Sequence, residues 1–138
     1  MKRRPLKTRH EPSDREKCQK IDQAIAGFDA GNLAIIADRH NQLAMDFLDA
    51  DDMDEVLDWV VVFLQEIKSA GPVECFVGRH AMRCTQHPGY GDLFLFPYHW
   101  DSPSLGERVY LKFGIRTEQG PDGTTYTYCH LDCHEDQA

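Results

Sequence analysis

The hydrophobic period of the chain changes near its middle. Up to residue 71, apolar side chains recur every three or four positions; beyond Pro72 they alternate one by one. Ser13-Asp14-Arg15-Glu16 has the spacing of a capping box. Cys18, Ile21, Ile25 and Phe28 follow at helical intervals as far as Gly31, so a first helix is predicted over about residues 14 to 30. A weaker second helix is predicted from Asn32 as cap through Leu33, Ile36, His40 and Leu43, with His40 a core or boundary residue. The third helix is the clearest. Asp51 or Asp52 can cap it, and Asp54 and Glu55 lie at the positive end of its dipole. Met53, Val56, Leu57, Val60, Phe63, Leu64 and Ile67 make a wide apolar stripe that ends before Gly71-Pro72.

In the second half, residues 73–77 and 79–84 read as strand pieces, "CTQHPGYG" as a loop and 92–100 as a strand or strand edge broken by Pro97. "RVYLKFGIRT" (108–117) alternates most regularly. Val109, Leu111, Phe113 and Ile115 point to one side, and Arg108, Tyr110, Lys112, Gly114 and Arg116 to the other. A turn with Pro-Asp-Gly chemistry leads to a last strand, 125–134. Its Cys129, Leu131 and Cys133 belong with a core; Tyr126, Tyr128, His130, Asp132 and His134 share the opposite side. Helices first and antiparallel strands afterwards predict an α+β domain, with the N-terminal helices packed on one face of a C-terminal antiparallel sheet and the other face open.

Composition narrows the picture. At 138 residues and 41% hydrophobic, the chain is expected to form a single domain, with residues 1–12 a mobile basic arm that holds Pro5 and Pro12. The longest apolar run, Trp59 to Leu64, falls well short of the roughly 20 residues of a membrane span. No apolar segment follows the basic start as in a secretory signal, and five cysteines do not make a disulfide framework, so a cytoplasmic location is expected. The net charge of -8 argues against a generic nucleic-acid binder, but it is unevenly spread. Seven acids and no base fall in residues 46–58, whereas between Glu74 and Arg116 four acids meet five Lys or Arg. The acid run lacks the EF-hand ligand pattern and is better explained as a helix cap and solvated face.

The two last strands would jointly present Tyr110, Lys112, Arg116, His130 and His134. Such a surface is a solvated sheet face, a nucleic-acid contact or a catalytic site. It has the chemistry for metal-independent RNA cleavage, which needs a base for the ribose 2′-hydroxyl, a cation for the transition state and an acid for the leaving 5′-oxygen. Histidine suits the base or acid role, lysine or arginine the cation, and tyrosine can donate a proton or stack on a base. Zinc is the competing chemistry, on Cys129, His130, Cys133 and His134 with Cys84 and His87 as supplements. In a strand, however, Cys129 and Cys133 stand about 13 Å apart. No glycine-rich phosphate loop, nucleophile elbow or HExxH motif occurs, and no cofactor is expected. His99 in "PYHW" is expected to be a structural donor beside an aromatic cluster, with Trp59 and Trp100 in the core.

Several stretches, in order, resemble the MqsR family of bacterial toxins, mRNA interferases with a RelE-like fold. They are the basic N-terminus, "LAMDFLDADDMDEVLDWV", "GYGDLF", "GERVYLKFGI" and the closing "CHED". The resemblance covers most of residues 15 to 136, and its most specific part is "VYLKF". It implies that Tyr110 is the catalytic tyrosine, that His134 stands for the family's C-terminal basic residue and that His80 in "GRHAM" stands for a lysine. Gly91 falls where the family has a glutamine, and the family is typically basic where this chain is acidic. An antitoxin is the implied partner. The expectation is therefore an endoribonuclease acting on mRNA, with Tyr110, His134, His80 and His130 catalytic and Lys112, Arg116 and Arg79 binding substrate. The alternative is a non-catalytic interaction module of the same fold.

Overall fold

The computed structural model describes residues 9–29, 33–36, 39–84, 93–119, 121–123 and 125–136. The chain begins with a short strand, β1 (Arg9–His10), and enters α1 (Asp14–Asp29) through the predicted capping box. The Glu16 N–H donates to Ser13 Oγ at 3.1 Å, and the Ser13 N–H returns a bond to Glu16 Oε1 at 3.2 Å. Within the expected arm, Arg9 and His10 pair with Met82 and Ala81, His10 lies 2.6 Å from Glu16 and Pro12 is buried. Residues 1–8 lie outside the described residues.

The predicted second helix is two elements. Leu33–Ile35 form a strand, β2, and α2 runs from Arg39 to Leu48. "LAII" suits either state by itself; what decides is a parallel pairing of β2 with the last strand, a partner almost 100 residues away. α3 (Met53–Ala70) forms as expected, with Asp52 Oδ1 accepting from the Glu55 N–H at 2.9 Å. It buries Val56, Val60, Phe63, Leu64 and Ile67, each contributing about 1.5–3 kcal/mol by leaving water. Gly71, at φ 108°, ends it and passes the chain to Pro72 at the first position of a four-residue helix, α4 (Pro72–Cys75). The strand expected over 73–77 is therefore replaced by a helical turn, leaving only a single bridge from Phe76 to Tyr98.

The remaining strands are β3 (Ala81–Arg83), β4 (Phe94–Ser102), β5 (Glu107–Gln119) and β6 (Thr125–Glu135). With β1 and β2 they form a six-stranded sheet of order β1-β3-β4-β5-β6-β2, antiparallel throughout except for β2 beside β6. β4 runs unbroken through Pro97. The Pro97 carbonyl accepts from the Val77 N–H at 3.0 Å, so its nitrogen also faces away from β5, and the missing donor costs the β4–β5 ladder nothing.

One sheet face carries Phe96, Tyr98, Trp100, Val109, Leu111, Phe113, Ile115, Cys129, Leu131 and Cys133. All are buried in one core to which the four helices contribute, so the chain is an α+β domain; α2 also runs along β6 and sets His40 against His130 on the opposite face. Tyr98 is tied to α1 through its hydroxyl, which donates to the Lys17 carbonyl at 2.8 Å. The other face is only half open. Around Gly114 a second, smaller cluster of Ile36, Cys84, Leu93 and Leu95, joined by Tyr128, covers it. Among the described residues no helix is long and apolar enough to cross a membrane.

Candidate functional site

The open half of the second face is a strip three strands wide, and the pairing register sets its rows. Asp101, Arg108 and Asp136 form the first, since Asp101 pairs Arg108 and the Asp136 N–H bonds the Arg108 carbonyl. His99, Tyr110 and His134 form the second, and Pro97, Lys112 and Asp132 the third. Because strand side chains alternate, the rows stand side by side on one face with Tyr110 at the centre.

The phenol ring of Tyr110 stacks on His134, with centroids 4.8 Å apart and planes inclined by 14°. His134 Nδ1 is 2.7 Å from the Glu135 carbonyl oxygen. A carbonyl only accepts, so Nδ1 carries the hydrogen and Nε2 presents its lone pair. On the other side, His99 Nδ1 lies 3.0 Å from Asp136 Oδ2, a contact that crosses above β5 from β4 to the end of β6. The same oxygen accepts from Arg108 Nε at 2.9 Å, and Arg108 also reaches Asp101 at 3.3 Å. Asp136 thus fixes both a guanidinium and an imidazole through the Nδ1 side of the ring.

Burial, helped by the charges of Asp132 and Asp136, pushes the Tyr110 phenol up. It stays protonated at neutral pH and works as a hydrogen-bond donor. Lys112 Nζ and His134 Nε2 each lie 3.9 Å from Asp132 Oδ2, an ion-pair rather than a hydrogen-bond distance. The strip therefore holds two imidazoles, a neutral phenol, an ammonium and a guanidinium. These can donate to and neutralise an oxyanion and take a proton from a neighbouring hydroxyl.

Of the residues expected at the site, Tyr110, His134 and Lys112 come together. His130 shares the face by register, opposite Gly114, but is only 1% exposed, with its ring edge-on to His40 at 5.4 Å. It is a packed residue and not an accessible acid or base. Arg116 lies six residues along β5 from Tyr110, about 20 Å at strand rise. His80 and Arg79 lie between α4 and β3, beyond β4 from Tyr110, and Arg79 pairs with Glu11 at 3.4 Å. Sequence reasoning missed Arg108 as the nearer cation and Asp136 altogether, and it took His99 for a structural donor beside an aromatic cluster. The signal for His99 was present: with Phe96, Tyr98 and Trp100 facing the core, residue 99 must face the other way.

No family model, curated protein or solved structure matches this chain. The strip rests on its own geometry.

The zinc arrangement does not assemble. Cys129 and Cys133 point into the core, where burial pushes both thiols up to about 12, while His130 and His134 point away from it. His87 and Gly91 lie outside the described residues. A cavity of about 690 Å³ lies between α3 and the β4–β5 turn against Val61, Val62, Trp100 and Pro103, reaching the strip only at Asp101. The carboxylate at its rim, Glu66, is already engaged. Burial would raise it, but bonds from Ser102 Oγ at 2.7 Å, Trp100 Nε1 at 3.1 Å and the Ser104 N–H at 3.1 Å outweigh that and hold it below its ordinary value. That carboxylate fastens α3 to β4. An open strip, by contrast, suits a polymer that lies across it.

Proposed function

We propose that the protein is a metal-independent endoribonuclease, an mRNA interferase of the toxin class with a RelE-like arrangement, that cuts RNA on the strip centred on Tyr110. The observation that carries this reading is the stacking of Tyr110 on His134, whose Nδ1 is taken up by the Glu135 carbonyl and whose Nε2 makes no hydrogen bond closer than the 3.9 Å approach to Asp132 among the described residues. His134 takes the proton of a ribose 2′-hydroxyl, so that the oxygen can attack the adjacent phosphorus. Tyr110 donates to a non-bridging phosphate oxygen, and Lys112 and Arg108 offset the charge that builds there. A cognate antitoxin protein is the partner this reading entails. Three carboxylates, Asp101, Asp132 and Asp136, lie among these groups and pair with Arg108 and Lys112, so few phosphates are neutralised and RNA binding on the strip is weak.

The test is cleavage of a mixed RNA by purified protein in EDTA at low salt, with Tyr110→Phe as comparison and circular dichroism to verify its fold. Wild type is expected to cut and to arrest growth when induced, and Tyr110→Phe to be slower by about 10²-fold or more. A folded wild type that neither cuts RNA nor arrests growth would sink the proposal and leave a non-catalytic interaction module.

A further inference from the structure

The proton balance of such a cleavage needs a second group. When the 2′-oxygen bonds to phosphorus and the P–O5′ bond breaks, the departing 5′-oxygen must receive a proton, and the neutral tautomer of His134 has none to give. We infer that His99 is the general acid of this site and that Asp136 is its positioning residue, an inference that rests on the endoribonuclease reading. Three observations carry it. His99 pairs across β4–β5 with Tyr110, while His134 pairs with Tyr110 across β5–β6. The two histidines therefore flank the phenol at about 10 Å between their strands, the separation a phosphate held over Tyr110 would bridge. Next, His99 Nδ1 is hydrogen-bonded to a carboxylate at 3.0 Å, whereas His134 Nδ1 bonds a neutral carbonyl and its Nε2 stands 3.9 Å from Asp132 Oδ2, beyond hydrogen-bond reach. The acid role falls to the imidazole with a carboxylate hydrogen-bonded directly to its Nδ1, as the orienting aspartate is in a hydrolase triad. Lastly, Asp136 is itself fixed by the Arg108 Nε at 2.9 Å and has a side chain only 11% exposed, so its hold on His99 is rigid.

The step then closes. The 2′-hydroxyl proton passes to His134 Nε2 and the 2′-oxygen bonds to phosphorus. The P–O5′ bond breaks, and the proton on His99 Nε2 passes to the 5′-oxygen. The products are a 2′,3′-cyclic phosphate and a 5′-hydroxyl, with neutral His99 and protonated His134 left to exchange with solvent.

The experiment uses an RNA oligonucleotide spanning a linkage that wild type cuts, made with the natural 5′-oxygen or with a bridging 5′-sulfur, a leaving group that departs without a proton. His99→Ala is expected to lose about 10²-fold or more on the oxygen substrate and to recover to near the wild-type rate on the sulfur substrate. Asp136→Asn should show a smaller loss that the sulfur also abolishes, a rescue that a merely structural role would not give. His134→Ala should be slow on both. Undiminished cleavage of the oxygen substrate by His99→Ala, or equal defects on both substrates, would overturn the assignment. If wild type cuts neither substrate, the endoribonuclease reading itself falls, an outcome separate from failure of the His99 assignment alone.

Discussion

The two ends of β5 obey one alternation and meet opposite fates. At the Arg108–Lys112 end, the side chains turned away from the helices form a polar strip that faces solvent; at the Gly114 end the same face is roofed by Leu93, Leu95, Cys84 and Ile36. Parity along a strand says which side a residue takes. It does not say whether that side is covered, because the cover comes from distant segments: residues 93–95 at the start of β4, and β2 and α2 lying along β6. His134 and His130 make the point together. Both have the parity of Tyr110, yet His134 is exposed and stacked on the phenol, whereas His130 is sealed against His40.

Substitutions at the two ends should separate just as cleanly. The largest contrast is expected from Gly114→Ala against Tyr110→Phe. A Cβ at Gly114 would stand 2.8 Å from the Phe94 carbonyl oxygen and 2.9 Å from Leu95, and backbone cannot yield cheaply. Urea unfolding should register a loss of about 1–3 kcal/mol there, while Tyr110→Phe stays within about 0.5 kcal/mol. Equal losses would mean that the roof over Gly114 is no tighter than the strip. A smaller effect concerns the charges within the strip. Asp132 helps hold the Tyr110 phenol up because a nearby negative charge disfavours phenolate, so Asp132→Asn should let it titrate at lower pH than in wild type. Ultraviolet titration, with Tyr110→Phe subtracted to isolate this phenol, would reveal the shift; an unchanged or higher value would show that Asp132 does not raise it.

Local chemistry was legible in the sequence wherever it acts over a few residues. The Ser13–Glu16 box, the Asp52 cap, the stripe of α3 and the parity of β5 and β6 all follow from spacing alone. Non-local pairing was not. β2 exists because β6 offers it an edge, and α4 exists because Gly71 turns the chain and Pro72 starts a helix where "VECFV" has the composition of a strand. The site divides in the same way. Tyr110, Lys112, His134 and the face of His99 were reachable by parity, whereas the place of His99 beside Tyr110 needed the β4–β5 register and Asp136 needed its contact across β5. His80 and Arg79, aligned through short and loosely matched stretches, stand on the far side of β4.

The central claim is that the polar strip cuts RNA by acid–base transfer alone, and the chemistry of the cut ends reports on this most directly. RNA digested by the wild-type protein in EDTA should carry 2′,3′-cyclic phosphate and 5′-hydroxyl termini, and those termini should disappear when Tyr110→Phe replaces wild type. Ends bearing 3′-hydroxyl and 5′-phosphate, or RNA left intact by folded protein, would contradict the account.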